Sequence, residues 1–137
     1  MLKTTLIHPE ILGVLGRLGH GSKVLIADGN YPFATGSNPN AALVYLNLRQ
    51  GLVTVTQVLE TLVPSIPIEA VHVMQPNDGS TPGIFAEFTT LLPGQELQRV
   101  ERFAFYDLAR GQDVGLTIAT GEARVYANIL LTIGVVL

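Results

Sequence analysis

The sequence predicts an α/β fold: a single domain over residues 1–137, with a largely parallel or mixed central sheet covered by helices on both faces. Three observations predict it. Short apolar runs such as KVLIA and NILLTIGVVL have the length and the Ile, Val and Leu content of strands buried on both faces. Segments with apolar residues at helical spacing alternate with those runs, the pattern of helices packed on a sheet. A chain of 137 residues is the length of one domain and buries about two-thirds of the surface that its unfolded form exposes.

The first helix starts at Pro9, whose missing N–H does no harm in a first turn. Ile11, Leu12, Leu15 and Leu18 follow at helical spacing, and Gly19 is the expected C-cap. KVLIA, residues 23–27, reads as the first strand, and GNYPFATGSNPN after it is loop by composition. ALVYLNL is a second strand. Residues 54–63 place Val55, Val58, Leu59 and Leu62 on one side of a helix that Pro64 and Pro67 end. AVHVMQ is a third strand, residues 84–92 a short helix, and the alternating ELQRVE a fourth strand. RFAFYDLAR is helical, with Phe103 and Tyr106 on one side and Arg102 on another. VGLTIAT and NILLTIGVVL are the last strands. The predicted order is α-β-loop-β-α-β-α-β-α-β-β, with no internal repeat or linker.

Composition narrows the function. With no cysteine, disulfides, thiolate catalysis and cysteine-ligated zinc are excluded, and the chain fits a reducing, cytoplasmic compartment. Net charge is −3, and eight Lys and Arg are spread along the whole chain, so no basic patch for nucleic acid stands out. MLKTTLIHPE is too short an apolar run for a signal peptide, and NILLTIGVVL falls far short of the roughly 20 residues of a membrane helix. Charged residues are only 14% of the chain, fewer than a soluble monomer usually carries. Part of the surface is therefore expected to be covered by other subunits, the alternative being a simply neutral surface.

The candidate chemistry starts at RLGHGSKVLIADGNYP. Gly19 and Gly21 flank His20 and leave its imidazole uncrowded, suited to acid–base work near neutral pH; the alternative is an exposed loop histidine beside a helix cap. Asp28 closes the strand at its carboxyl end, where ligands bind in open sheets of this kind, although Asp is also a common turn residue. A five-residue strand spans about 17 Å. His20 and Asp28 therefore meet only if the chain bends back, or if a neighbouring subunit completes the site. GHGSK is not a phosphate loop, because it follows a helix and precedes a strand. In TGEARVYANILL, Glu122, Tyr126 and Asn128 supply polar groups before the last strand; they are either a capped turn or a cradle for a polyhydroxyl ligand. His72 inside a strand and His8 beside Pro9 read as structural. The three histidines are too scattered for a metal motif, and no nucleophile elbow is present.

Taken together, LIHPEILGVLGRLGHGSKVLIADGNYP, QGLVTVTQVLETLVP, RFAFYDLAR and TGEARVYANILLTIGVVL resemble the ribose pyranase and fucose mutarotase family of sugar-anomer isomerases. RFAFY leans toward the fucose branch. The resemblance implies that His20 is the catalytic histidine and that Asp28 is the carboxylate supporting it. Tyr126 and Asn128 match a Y-A-N motif that holds the sugar, with Tyr126 also counted among the catalytic groups. Arg102 falls near a substrate-contacting position that is histidine in the ribose branch. The implied partners are a free monosaccharide and further copies of the chain in a ring, decameric or smaller, with sites at or near subunit contacts. No cofactor or metal is implied. The middle of GNYPFATGSNPNAALVYLNLRQG departs from the family pattern, and Gly29 replaces a common alanine. Two other readings compete with an isomerase: a non-catalytic monosaccharide-binding accessory protein of sugar uptake, and a ring-forming structural or regulatory protein with a vestigial pocket.

Overall fold

Alternation of side chains decides how the strands are covered. In the computed structural model, which describes residues 1–137, KVLIA forms β1 (Lys23–Ala27). Val24 and Ile26 face one core, and Leu25 and Ala27 face another. The other strands are β2 (Ala42–Tyr45), β3 (Ile68–Gln75), β4 (Leu97–Glu101), β5 (Val114–Ala119) and β6 (Ile129–Ile133). They form one six-stranded sheet in the order β2-β5-β1-β6-β3-β4. β1 pairs parallel with β5, β5 with β2, and β3 with β4; β6 alone runs antiparallel, between β1 and β3. All five of its side chains are buried, as the apolar run predicts.

The helices are α1 (Pro9–Leu15), α2 (Val55–Leu62), α3 (Ile84–Leu91) and α4 (Arg102–Ala109). The larger core joins Ile11 and Val14 of α1, Val58 and Leu59 of α2, and Phe85 and Phe88 of α3 to Val24, Ile26, Ile118 and Leu131 of the sheet. The smaller core sets Phe105 and Ala109 of α4 and Tyr31 of the following loop against Leu25, Ala27, Met74 and Leu130. Both faces are covered, but unequally: three helices lie on one face, one helix and a loop on the other.

Two boundaries shift from expectation. α1 ends at Leu15, not at Gly19; Gly16 is its C-cap, and its N–H donates to the Leu12 carbonyl. Leu18 still packs inward because Gly115 leaves it room: a Cβ there would lie 2.3 Å from Leu18 Cδ2. Second, only ALVY of ALVYLNL is strand. The chain beyond it turns back over Gly121, where a Cβ would lie 2.2 Å from the Arg49 carbonyl oxygen. His8 caps α1, its Nδ1 accepting from Ile11 N–H at 3.2 Å, and Thr54 and Gln57 form a capping box on α2. No helix is long and apolar enough to cross a membrane.

Candidate active site

Beyond the carboxyl end of β1 the sheet opens into a hollow of about 210 Å³. Asp28 forms its floor. This carboxylate is 3% exposed, yet every oxygen has a partner. Oδ1 accepts from Asn30 N–H at 3.0 Å; Oδ2 accepts from Ala127 N–H at 3.2 Å and from Asn128 Nδ2 at 3.1 Å. In return the Asp28 N–H donates to Asn128 Oδ1 at 2.8 Å. Burial pushes the Asp28 carboxyl above its ordinary value, and those hydrogen bonds pull part of the way back. A buried carboxylate of raised basicity in a hollow is suited to accept from a ligand hydroxyl.

Asn128 therefore has two of its amide's hydrogen-bonding groups committed to Asp28, leaving one N–H and an oxygen lone pair. It stiffens the carboxylate first and is a ligand only with what remains. Tyr126 lines the hollow from a backbone at φ 57°, a left-handed conformation unusual for a tyrosine. Its neighbour Ala127 uses its N–H to hold Asp28, so the kink that aims the ring and the bond that fixes the carboxylate belong to one turn.

Arg102 opens α4 at the rim. Its guanidinium lies 5.5 Å from the Phe103 ring centroid and 5.8 Å from that of Tyr106. The sequence pattern places Arg102 and Tyr106 on different sides of α4; the structure does not. They are four residues apart and share the face toward the hollow. Tyr106 meets Tyr31 edge-on at 5.5 Å, and Tyr31 donates its hydroxyl to the Gly36 carbonyl at 2.6 Å. Burial pushes the Tyr31 phenol far up, which keeps it a donor. Met74 and Val125 complete an apolar wall. Tyr31, Tyr106 and Met74 were missed as site residues. The i, i+4 spacing to Arg102 was the available signal for Tyr106; nothing local marks Met74.

Glu122 does not line this hollow and serves as a brace within the fold. It is 3% exposed, accepts from Val55 N–H at the start of α2, and is forked by Arg124, which also pairs with Glu87 of α3. Burial raises its carboxyl and Arg124 more than offsets this, holding it below the usual range. Its backbone carbonyl accepts from Gly29 N–H at 2.9 Å, tying the loop after Asp28 to the loop that carries Tyr126.

His20 lies elsewhere. It precedes β1 while Asp28 follows it, and nothing in the chain bends back to join them. Within one chain Asp28 does not support His20. The imidazole Nε2 instead meets Glu69 of β3, at 2.9 Å from Oε2 and 3.1 Å from Oε1. The side chain is 59% exposed. Of the two flanking glycines only Gly21 is required by the backbone, at φ 83°; a Cβ at Gly19 would meet nothing.

The RbsD / FucU transport protein family matches residues 1–136. D-ribose pyranase of Streptomyces avermitilis is 31% identical over 98% of this chain and 98% of its own length. The human fucose mutarotase is 28% identical over 95% of this chain and 90% of its own. Among solved structures, the fucose mutarotase of Streptococcus pneumoniae in complex with L-fucose superimposes with a TM-score of 0.85, at 26% identity and complete coverage of both chains.

Proposed function

The chain belongs to the RbsD / FucU transport protein family, and we propose that it is a cofactor-independent isomerase interconverting the α and β anomers of a free monosaccharide. One observation carries the reading: a hollow whose polar floor is a fully braced carboxylate, beside a tyrosine fixed in a left-handed turn and an arginine, with an apolar and aromatic wall opposite. A sugar has such a surface, hydroxyls on its edges and C–H faces between them. About 210 Å³ is below the roughly 300–1,000 Å³ of drug-sized sites, in keeping with one sugar ring.

Mutarotation needs little more than proton traffic. The anomeric hydroxyl gives up its proton to a base as the bond from C1 to the ring oxygen breaks. The ring oxygen keeps the electron pair and takes a proton from an acid. The open aldehyde turns, and the reverse steps close it on the other face. His20 and Tyr126 are the acid–base pair of this reading, and Asp28 orients a hydroxyl. General acid–base catalysis contributes about 10²–10⁴-fold. Because His20 and the hollow lie at opposite ends of β1, His20 enters the hollow of a neighbouring copy, in a ring of subunits. Its exposure and the exposed apolar residues Val135, Val136 and Leu137 at the same end support that arrangement. Met74 and Val125 beside Arg102 favour a 6-deoxy sugar of the fucose type, whose methyl group they would contact.

NMR saturation transfer between anomers, over L-fucose, D-ribose and D-galactose, tests the reaction. Exchange above the buffer rate, fastest for L-fucose, is expected; sugar binding with exchange at the buffer rate for all three would make the protein a binder. Mixing inactive His20→Ala and Tyr126→Phe proteins tests the sharing: subunits that exchange should regain part of the activity.

A further inference from the structure

A histidine that moves protons must present one defined nitrogen, and nothing in the hollow sets it. We propose that Glu69 is the positioning residue for His20, holding the imidazole in the Nε2–H tautomer so that Nδ1 carries the lone pair that takes the sugar proton. The inference rests on the reading of His20 as a proton carrier given above.

Two independent features support it. The first is the contact. Both Glu69 oxygens lie within 3.1 Å of Nε2, and a carboxylate only accepts, so the shared proton sits on Nε2. Nδ1 makes no hydrogen bond within the chain. When Nδ1 takes a proton, the resulting cation lies against the Glu69 carboxylate. The second feature is the strand. β3 pairs with β6 through Ile68 opposite Ile133 and Ala70 opposite Thr132, so Glu69 is an extra residue bulged out of the ladder. A bulge re-aims the side chain it carries. The space for that side chain comes from Gly134, where a Cβ would lie 3.3 Å from Glu69 Cβ and 3.6 Å from Oε2.

The backbone around the pair is stitched from three segments. Gly21 N–H donates to the Ile133 carbonyl and Ile133 N–H to the Ser22 carbonyl, both at 2.9 Å. Gly134 N–H donates to the Pro67 carbonyl at 2.8 Å. The histidine loop, the end of β6 and the entry to β3 therefore move together, which holds the imidazole and carboxylate in register. An orienting partner on the far nitrogen is the device by which protein imidazoles are kept in one tautomer.

The experiment compares wild type with Glu69→Gln, Glu69→Asp and Glu69→Ala. Two quantities are read: imidazole ¹⁵N shifts of His20 at pH 8 without sugar, and kcat and KM for anomer exchange. We expect a predominant Nε2–H tautomer in wild type and a mixture in Glu69→Ala. The kcat of Glu69→Ala and Glu69→Gln should fall more than tenfold with KM within twofold, and Glu69→Asp should recover part of it. Assembly and melting should stay as in wild type. An unbiased wild-type tautomer, a Glu69→Ala kcat within twofold of wild type, or a fall that tracks lost assembly would each overturn the proposal. If wild type exchanges no anomers, the isomerase reading fails, while the tautomer still decides whether Glu69 orders the ring.

Discussion

The two ends of β1 are built on opposite principles. At the carboxyl end, Asp28 and Asn128 are 3% and 4% exposed and bonded to each other twice. At the amino end, His20 stands mostly in solvent on a single partner, Glu69. One end is closed by bonds within the chain; the other leaves an imidazole exposed on one carboxylate. About 17 Å of strand separates them. On the function proposed above, such a division would let the chain fold around the binding half and present His20 to the next copy.

The largest effect should come from breaking the exposed end. His20→Ala should lower kcat by about 10²–10⁴, or roughly 3–5 kcal/mol of transition-state stabilisation. Little packing depends on an imidazole so exposed, so melting temperature and sugar affinity should stay near wild type. Exchange kinetics and thermal melting check both halves of this statement. A variant that melts early would show that the His20 end is structural after all. One that exchanges anomers at the wild-type rate would move the chemistry to Tyr126 or Arg102.

What could be read in advance follows the same division. The order of the elements was legible because each strand is an apolar run and each helix a periodic one; β1 matches residue for residue. The position of Asp28 at the carboxyl end of β1, where the hollow opens, was legible because strand ends locate it. The partner of His20 was not. Glu69 is 49 residues away, and its aim depends on a bulge that no local pattern announces. Asn128 reads as a capped-turn residue or a sugar ligand; its two bonds to Asp28 were not legible, because they join residues 100 apart. Glu122 reads as part of a capped turn or of a polyhydroxyl cradle, and only the approach of α2 and α3 makes it a buried brace.

The second prediction sharpens the comparison within the buried end, where two carboxylates carry opposite signs. Glu122 is held below its ordinary 4.5, so its contribution to stability is present above that pH and lost as pH falls through the lower folded value. Asp28 is pushed above its ordinary 3.8, so its contribution is present below that pH and lost as pH rises through the higher folded value. Glu122→Gln should cost about 1–3 kcal/mol at pH 7, from the loss of its charged hydrogen bonds to a partly solvated Arg124. Its deficit against wild type should narrow below pH 4.5. The deficit of Asp28→Asn should instead widen as pH falls toward 3.8. Urea unfolding over pH 3.5–7 measures both slopes, and parallel slopes would show that the two carboxylates are not differently held.

The smallest effect belongs to the glycines around the exposed end. Gly134→Ala puts a methyl 3.3 Å from Glu69 Cβ, a contact relieved by a shift of a few tenths of an ångström. Such a shift moves the carboxylate, and the imidazole with it, without emptying or overfilling the core. A misplacement of about 1 Å can cost on the order of 10²-fold in rate. A fraction of that should cost a few-fold, in kcat and not in KM or melting temperature. Gly19→Ala is the matching control. Gly19 sits directly beside His20, yet its Cβ would meet nothing, so kcat should not change. If proximity to His20 in sequence were what mattered, the two results would be reversed. A slow Gly19→Ala beside an unaffected Gly134→Ala would therefore place the control of His20 in its own loop and not in the carboxylate on β3.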